Sequence, residues 1–192
     1  MGPSVFRSRL QPAAMAGLIM LFLTGAKGDS TKKRPAVILG RVLSYELTLE
    51  DRVGDSVGIA VVYRRDDQTS EANADDWIQG LAELSSVKVK DRRIFAFKVP
   101  YAVGEMSSAV DKGADVLLVA DGLHAESPSI AQFARSRHLL TMGNAVSYLD
   151  TDLTLCVTEE GEKPKIFINL KIAHLEGIRF GSRLLELATL IR

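Results

Sequence analysis

"VGIAVVY", Val57 to Tyr63, is a continuous apolar run rich in β-branched residues. Such a run suits a strand covered on both faces, the situation of a parallel sheet between two helical layers. The sequence on either side repeats that theme. Upstream, Ile38, Val42, Tyr45 and Leu49 recur at helical spacing, with Pro35 in the first turn and Gly54 just past the end. Downstream, Ser70 is placed to cap a helix running to about Leu84, with Trp77, Leu81 and Leu84 on one face. A second strand follows at "IFAFKV" (Ile94 to Val99), ended by Pro100, and then a short helix at "GEMSSAVDKG". The third strand is "ADVLLVA" (Ala114 to Ala120), bounded by Asp121-Gly122. "SPSIAQFARSR" opens as a helix, with Ser127 as cap and Pro128 at the first position. "HLLTM", opened by His138, is a short fourth strand, and "LTLCVTE" and "KPKIFINL" flank the tight turn "EGEK".

Strands alternating with helices predict a three-layer α/β fold with right-handed crossovers. The sheet is expected to be mostly parallel, in flavodoxin-like order, with the C-terminal antiparallel hairpin as its edge. An exposed hairpin edge is a template for strand pairing between chains, which makes a homodimer one candidate assembly. Charged Glu159, Glu160, Glu162, Lys163 and Lys165 blunt that edge.

The first residues carry a different signal. Arg7 and Arg9 form a positive n-region, "AAMAGLIMLFL" (Ala13 to Leu23) an apolar h-region, and "TGA" (Thr24 to Ala26) the small residues of a cleavage site. The apolar run is shorter than the roughly 20 residues of a membrane span. Residues 1–26 are therefore expected to be a cleaved signal peptide, 27–34 a linker, and 35–192 a single α/β domain, exported rather than anchored. No cysteine stands at the cleavage point to carry a lipid. Export permits disulfides, yet Cys156 is the only cysteine. It alternates with Leu153 and Leu155, as a small core residue does. An intermolecular bridge or a redox-sensing thiol is the sharper alternative.

Composition excludes some functions. The chain has 192 residues, 46% of them hydrophobic, enough for one domain with a real core. Lys+Arg and Asp+Glu are each 24, so the basic excess expected of a nucleic-acid binder is missing.

Candidate chemistry is sparse. "GDSVG" (Gly54 to Gly58) matches the G-x-S-x-G nucleophile elbow, but the elbow needs a strand before the serine and a helix after it. Here the order is reversed, so the segment reads as a turn feeding the first strand. His124, His138 and His174 lie on separate elements, and no pair has the spacing of a zinc-binding helix. No catalytic residue, metal ligand or cofactor is assigned. What remains is the rim at the carboxyl ends of the strands, where ligands of open α/β sheets bind. "RRDDQTSE" follows strand one, "PYAVGE" strand two, "DGL" strand three and "GNA" strand four. Arg64, Asp66, Tyr101, Asp121, Asn144 and Tyr148 are the candidate ligand- or partner-contacting residues on these loops.

The tail adds structure rather than chemistry. Asn169 ends an apolar strand and is placed to satisfy the start of the next helix. Gly177 and Gly181 let the chain leave one helix and enter another, which Ser182 can cap. Leu184, Ala188 and Ile191 repeat at helical spacing, with Leu185 and Leu187 widening the stripe.

"IFINLKIAHLEGIRFGSRLLELA" resembles the C-terminal signature of the YfiR-like family of exported bacterial proteins. Ile168-Asn169, Ala173, Gly177, Ile178, Ser182, Leu184, Leu185, Leu187 and Ala188 occupy the signature's places. "ADVLLVADGL", "HLLTMGN" and "VLSYELTLEDRVGDSVGIAVVY" are similar to the family's central strand, fourth strand, and opening helix with first strand. The chain departs from the family in having one glycine, not two, in "MGNAVSYLDTD", and His174 at a small-residue place. With one cysteine it also lacks the internal disulfide that some members carry. The resemblance implies a non-enzymatic periplasmic regulator that binds and restrains the periplasmic part of an inner-membrane signalling protein, of diguanylate cyclase (cyclic-di-GMP) or sensor-kinase type. The rim loops leave a periplasmic small-ligand receptor as the alternative.

Overall fold

The computed structural model describes residues 32–84, 86–102, 104–160 and 163–191. The expected signal peptide and most of the expected linker lie outside the described residues, as does the middle of the "EGEK" turn.

Helix α1 (Lys33–Ser44) and the single turn α2 (Leu49–Arg52) lead into β1 (Ser56–Tyr63). Then come α3 (Gln68–Ala82), β2 (Lys88–Val89), β3 (Arg92–Pro100), α4 (Met106–Asp111) and β4 (Val116–Val119). Helix α5 (Ser127–Arg137), β5 (Leu140–Gly143) and a 3-10 turn over Val146–Thr151 follow. The chain ends with β6 (Leu155–Glu160), β7 (Lys163–Asn169), α6 (Leu170–Glu176), α7 (Ser182–Leu185) and β8 (Thr189–Ile191).

The sheet order is β2-β3-β1-β4-β5-β6-β7-β8. Within it β3, β1, β4, β5 and β6 are parallel neighbours, which is the flavodoxin-like 2-1-3-4-5 order. Side chains alternate across the sheet. Val57, Ile59 and Val61 pack with Leu39, Val42 and Trp77 of α1 and α3. Ala60 and Val62 pack with Met106, Ile130 and Ala134 of α4 and α5. Both faces of β1 are thus covered, as its unbroken apolar run requires.

Cys156 is fully buried in β6, the core position expected of it, and burial pushes its thiol up to about 12.

Several local expectations are corrected. The opening helix stops at Ser44, because the tail competes for its next groups: Gly181 N–H donates to the Tyr45 carbonyl (2.9 Å) and Leu47 N–H to the Arg179 carbonyl (2.7 Å). Asp67, not Ser70, caps α3; its Oδ1 accepts from the N–H groups of Thr69 and Ser70. Ser70 Oγ instead accepts from Arg64 N–H. Ser127 is the first residue of α5, after Glu126, and its Oγ donates to the His124 carbonyl. His138 does not open a strand; it ends α5 in the left-handed region at φ 54°.

The tail differs most. Gly181, not Ser182, stands at the N-cap of α7, and no side chain caps that helix. The Leu184–Ala188–Ile191 stripe is not one helix, because Thr189–Ile191 pair in parallel with Phe167–Asn169. That pairing satisfies part of the outer edge of β7, so β8, not the hairpin, ends the sheet.

Candidate functional site

At the carboxyl ends of β1, β4 and β5 the chain builds a tied rim. Arg64, just past β1, crosses to the loop after β4. Its Nε and Nη2 donate to the Gly122 carbonyl at 3.0 and 2.8 Å, and Nη2 pairs with Glu126 Oε1 at 2.6 Å. Gly122 adopts φ +84°, and a Cβ there would lie 2.8 Å from Asp67 Oδ2. Its positive φ and closeness to the α3 cap therefore both require glycine. Asn144, after β5, donates Nδ2–H to Asp121 Oδ1 at 2.5 Å, and Asp121 N–H donates to Asn73 Oδ1 at 3.2 Å.

The structure brings Arg64, Asp121 and Asn144 onto one rim. Asp66 stands exposed beside them in the left-handed region at φ 66°. Tyr101 lies at the end of β3, half-buried, its N–H donating to the Tyr63 carbonyl. Tyr148 is placed beneath the rim rather than on it. Only 3% of it is exposed, and its hydroxyl donates to the Ala120 carbonyl at 2.9 Å. Burial raises its phenol above the ordinary value. Asn169 Oδ1 accepts from Ile172 N–H at the start of α6, and Gly177 ends that helix at φ +79°.

The rim is polar and largely tied to itself. Arg64 turns Nε and Nη2 inward, to Gly122 and Glu126. Glu126 Oε2 and Asn144 Oδ1 are buried acceptors without hydrogen-bond partners, and Asp66 and Asp121 add carboxylates. A shallow depression of about 460 Å³ between Gln68, Thr69, Asn73, Asp76 and Asp121 adjoins them. Glu126 Oε2 and Asn144 Oδ1 lie below the surface, and of the rim's carboxylates Asp66 is the exposed one. Ser56, the "GDSVG" serine, begins β1 with α2 before it, and no set of three metal-binding side chains occurs among the described residues.

A larger groove, about 990 Å³, lies at the opposite, amino edge of the same strands. Arg52, Asp115, Arg137, His138, Phe95 and Gly177 contribute to its walls. Sequence reading missed it, because its lining comes from five stretches far apart in the chain. Two glycines give the nearest signal: a Cβ on Gly58 would sit 1.9 Å from the Gly113 carbonyl oxygen. At its floor Gly58 N–H donates to Asp115 Oδ2 (2.9 Å), and burial raises the Asp115 carboxyl above its usual range. Arg52 Nη1 donates to the carbonyls of Asp115 (3.3 Å) and His138 (3.1 Å).

The YfiR/HmsC-like family model matches residues 67–189. The chain belongs to the YfiR/HmsC-like family. That match runs from the cap of α3 to the first residue of β8, taking in the Asp121 and Asn144 loops and the tail whose residues carry the resemblance, while Arg64 and Asp66 lie just before it. No curated protein matches the chain. Solved structures place this YfiR/HmsC-like fold beside larger proteins. A conserved domain protein from Vibrio cholerae aligns at TM-score 0.59 and 14% identity, over 85% of this chain and 60% of its own. An ABC domain in complex with L-Trp from Streptococcus pneumoniae aligns at TM-score 0.53 and 14% identity, over 78% of this chain and 60% of its own. A ligand-free, open substrate-binding protein with adhesive properties from Clostridium difficile aligns at TM-score 0.53 and 15% identity, over 76% and 57%. The chain spans about 60% of the length of these structures. At such identities the likeness is one of fold.

Proposed function

We propose that this YfiR/HmsC-like protein is an exported, non-enzymatic regulator. It binds the periplasmic part of an inner-membrane signalling protein, of diguanylate cyclase or sensor-kinase type, and restrains its output. The observation that carries this reading is the family match over residues 67–189. Residues 1–26 act as a cleaved signal peptide and 27–34 as a linker to the domain. No helix among the described residues is long and apolar enough to cross a membrane. Restraint follows from differential binding: a regulator that favours one state of its partner shifts the equilibrium toward that state. Arg64, Asp66, Asp121 and Asn144, with Tyr101 at the end of β3, supply the contact surface, and a homodimer is the assembly through which it could be doubled. Affinity capture from solubilised host membranes tests the reading. Recovery of a membrane signalling protein by the wild type, lost with Asp66→Arg/Asp121→Arg, is the expected result. Recovery of none overturns it.

A second reading is favoured by the depression between Gln68, Thr69, Asn73, Asp76 and Asp121, together with a fold shared by one structure holding L-Trp and one substrate-binding protein. In it the domain is a periplasmic small-ligand receptor. A thermal-shift screen in which no metabolite raises the melting point argues against it.

A further inference from the structure

Glu176, the last residue of α6, is a wholly buried carboxylate. It accepts from Thr141 N–H (3.1 Å), Thr141 Oγ1 (2.5 Å) and Thr154 Oγ1 (2.7 Å). Those two threonines are tied to each other, Thr154 N–H donating to Thr141 Oγ1 at 2.9 Å. Thr154 also receives Asn169 N–H on its carbonyl (2.8 Å). The Glu176 carboxyl group therefore joins α6 to both β5 and the start of β6.

Among the described residues, no cation contacts this carboxylate. From α5, Arg135 turns instead to Asp152 (3.1 Å) and to the Ala131 carbonyl. His138 points Nδ1 at the backbone oxygen of Glu176 (3.3 Å), not at its carboxylate. Arg52, from α2, reaches the His138 carbonyl but gives its charge to Glu46. On α6 itself, Lys171 and His174 are exposed. Burial makes the ionised form the costly one and outweighs the Thr141 and Thr154 hydrogen bonds and the more distant charge of Arg135, which favour it. The adjacent Gly177 lies against the groove wall, where a Cβ would come within 2.9 Å of His138 Nδ1.

We propose that Glu176 is a proton-operated latch: protonated, it locks the α6–Gly177 turn onto β5 and β6, and ionised, it favours release of that turn and of the His138 wall of the amino-edge groove. The proton comes from and returns to solvent. In the locked state the carboxyl O–H donates to a threonine hydroxyl, which rotates to accept it. In the released state water hydrates the carboxylate. This inference is independent of which partner or ligand the protein binds.

Burial raises the Glu176 carboxyl from 4.5 to about 7. Linkage then sets the response: release becomes about thirtyfold more favourable between about pH 5.5 and about pH 8.5. Hydrogen exchange of the Gly177 and Ile178 amides on the full chain, corrected for intrinsic rates, reads this directly. The expected result is that rise in opening for the wild type and a flat profile for E176Q. An opening equilibrium independent of pH in the wild type overturns the proposal, as does an unchanged rise in E176Q. Should E176Q not fold, the wild-type Glu176 side-chain carbon is titrated by NMR. A midpoint near 7 supports the latch, and one below about 5 overturns it.

Discussion

Arg52 grips the buried carboxylate of Glu46 from both sides, Nη2 standing 2.9 Å from Oε1 and 2.8 Å from Oε2, with Nε adding a third bond at 3.2 Å. The same guanidinium reaches the carbonyls of Asp115 and His138. It thereby joins the turn after α1 to the amino ends of β4 and β5. Arg52→Ala leaves Glu46 buried and unpaired and is expected to cost about 3–5 kcal/mol. Urea denaturation checks it. Replacing both partners, as Glu46→Gln with Arg52→Met, should cost less than the sum of the single changes, the mark of a coupled pair.

Gly58 has no room for a side chain. A Cβ would lie 1.9 Å from the Gly113 carbonyl oxygen and 2.8 Å from Phe95. Gly58→Ala must therefore displace the α4–β4 loop, with an expected loss of about 1–3 kcal/mol. Gly54, four residues earlier, meets nothing within 4 Å, and Gly54→Ala should stay within about 0.5 kcal/mol. A matched pair of melting curves distinguishes the two.

Asn169→Ala removes the Oδ1 that receives Ile172 N–H at 3.2 Å. Loss of such a cap is expected to cost about 1 kcal/mol, while Asn169→Asp should retain most of it. Capture of a membrane partner at a temperature where the variant is folded should match the wild type. Selective loss of capture at unchanged stability would show Asn169 to be a contact residue instead.

Glu176 also predicts the pH profile of global stability. Its folded value, about 7, lies above the 4.5 of a solvated carboxyl, so the folded state binds the proton more tightly. The stabilising contribution is full below about pH 4.5 and is lost as pH rises toward and through 7, by at most about 3 kcal/mol. Chemical denaturation at a series of pH values should show that decline in the wild type, and E176Q should remove most of it.

Cys156 is buried, and its thiol is raised to about 12. Thiolate is the reactive form, so a thiol reagent near pH 8 should leave the native protein unmodified and label it fully in denaturant. Rapid native labelling would contradict this.

The layers of the fold were legible in sequence because hydrophobic period is a local property. The apolar run of β1, the short apolar runs that became β3, β4 and β5, and the helical stripes between them required a sheet covered on both faces. The tail resemblance led to the YfiR/HmsC-like family that the family match establishes. Asn169 and Gly177 were readable too, since a helix cap and a left-handed helix end each act within a few residues. Tertiary structure decided where long-range pairing outweighs local preference. Residues 189–191 continue a helical stripe yet form a strand, because the edge of β7 offers unpaired backbone groups. Tyr148 sits in a loop sequence yet lies in the core, its hydroxyl satisfied by Ala120. Arg52 with Glu46, and Glu176 with Thr141 and Thr154, gave no sequence signal. A buried charge is recognised only by what surrounds it, and those surroundings are assembled by the sheet order, not by neighbours along the chain.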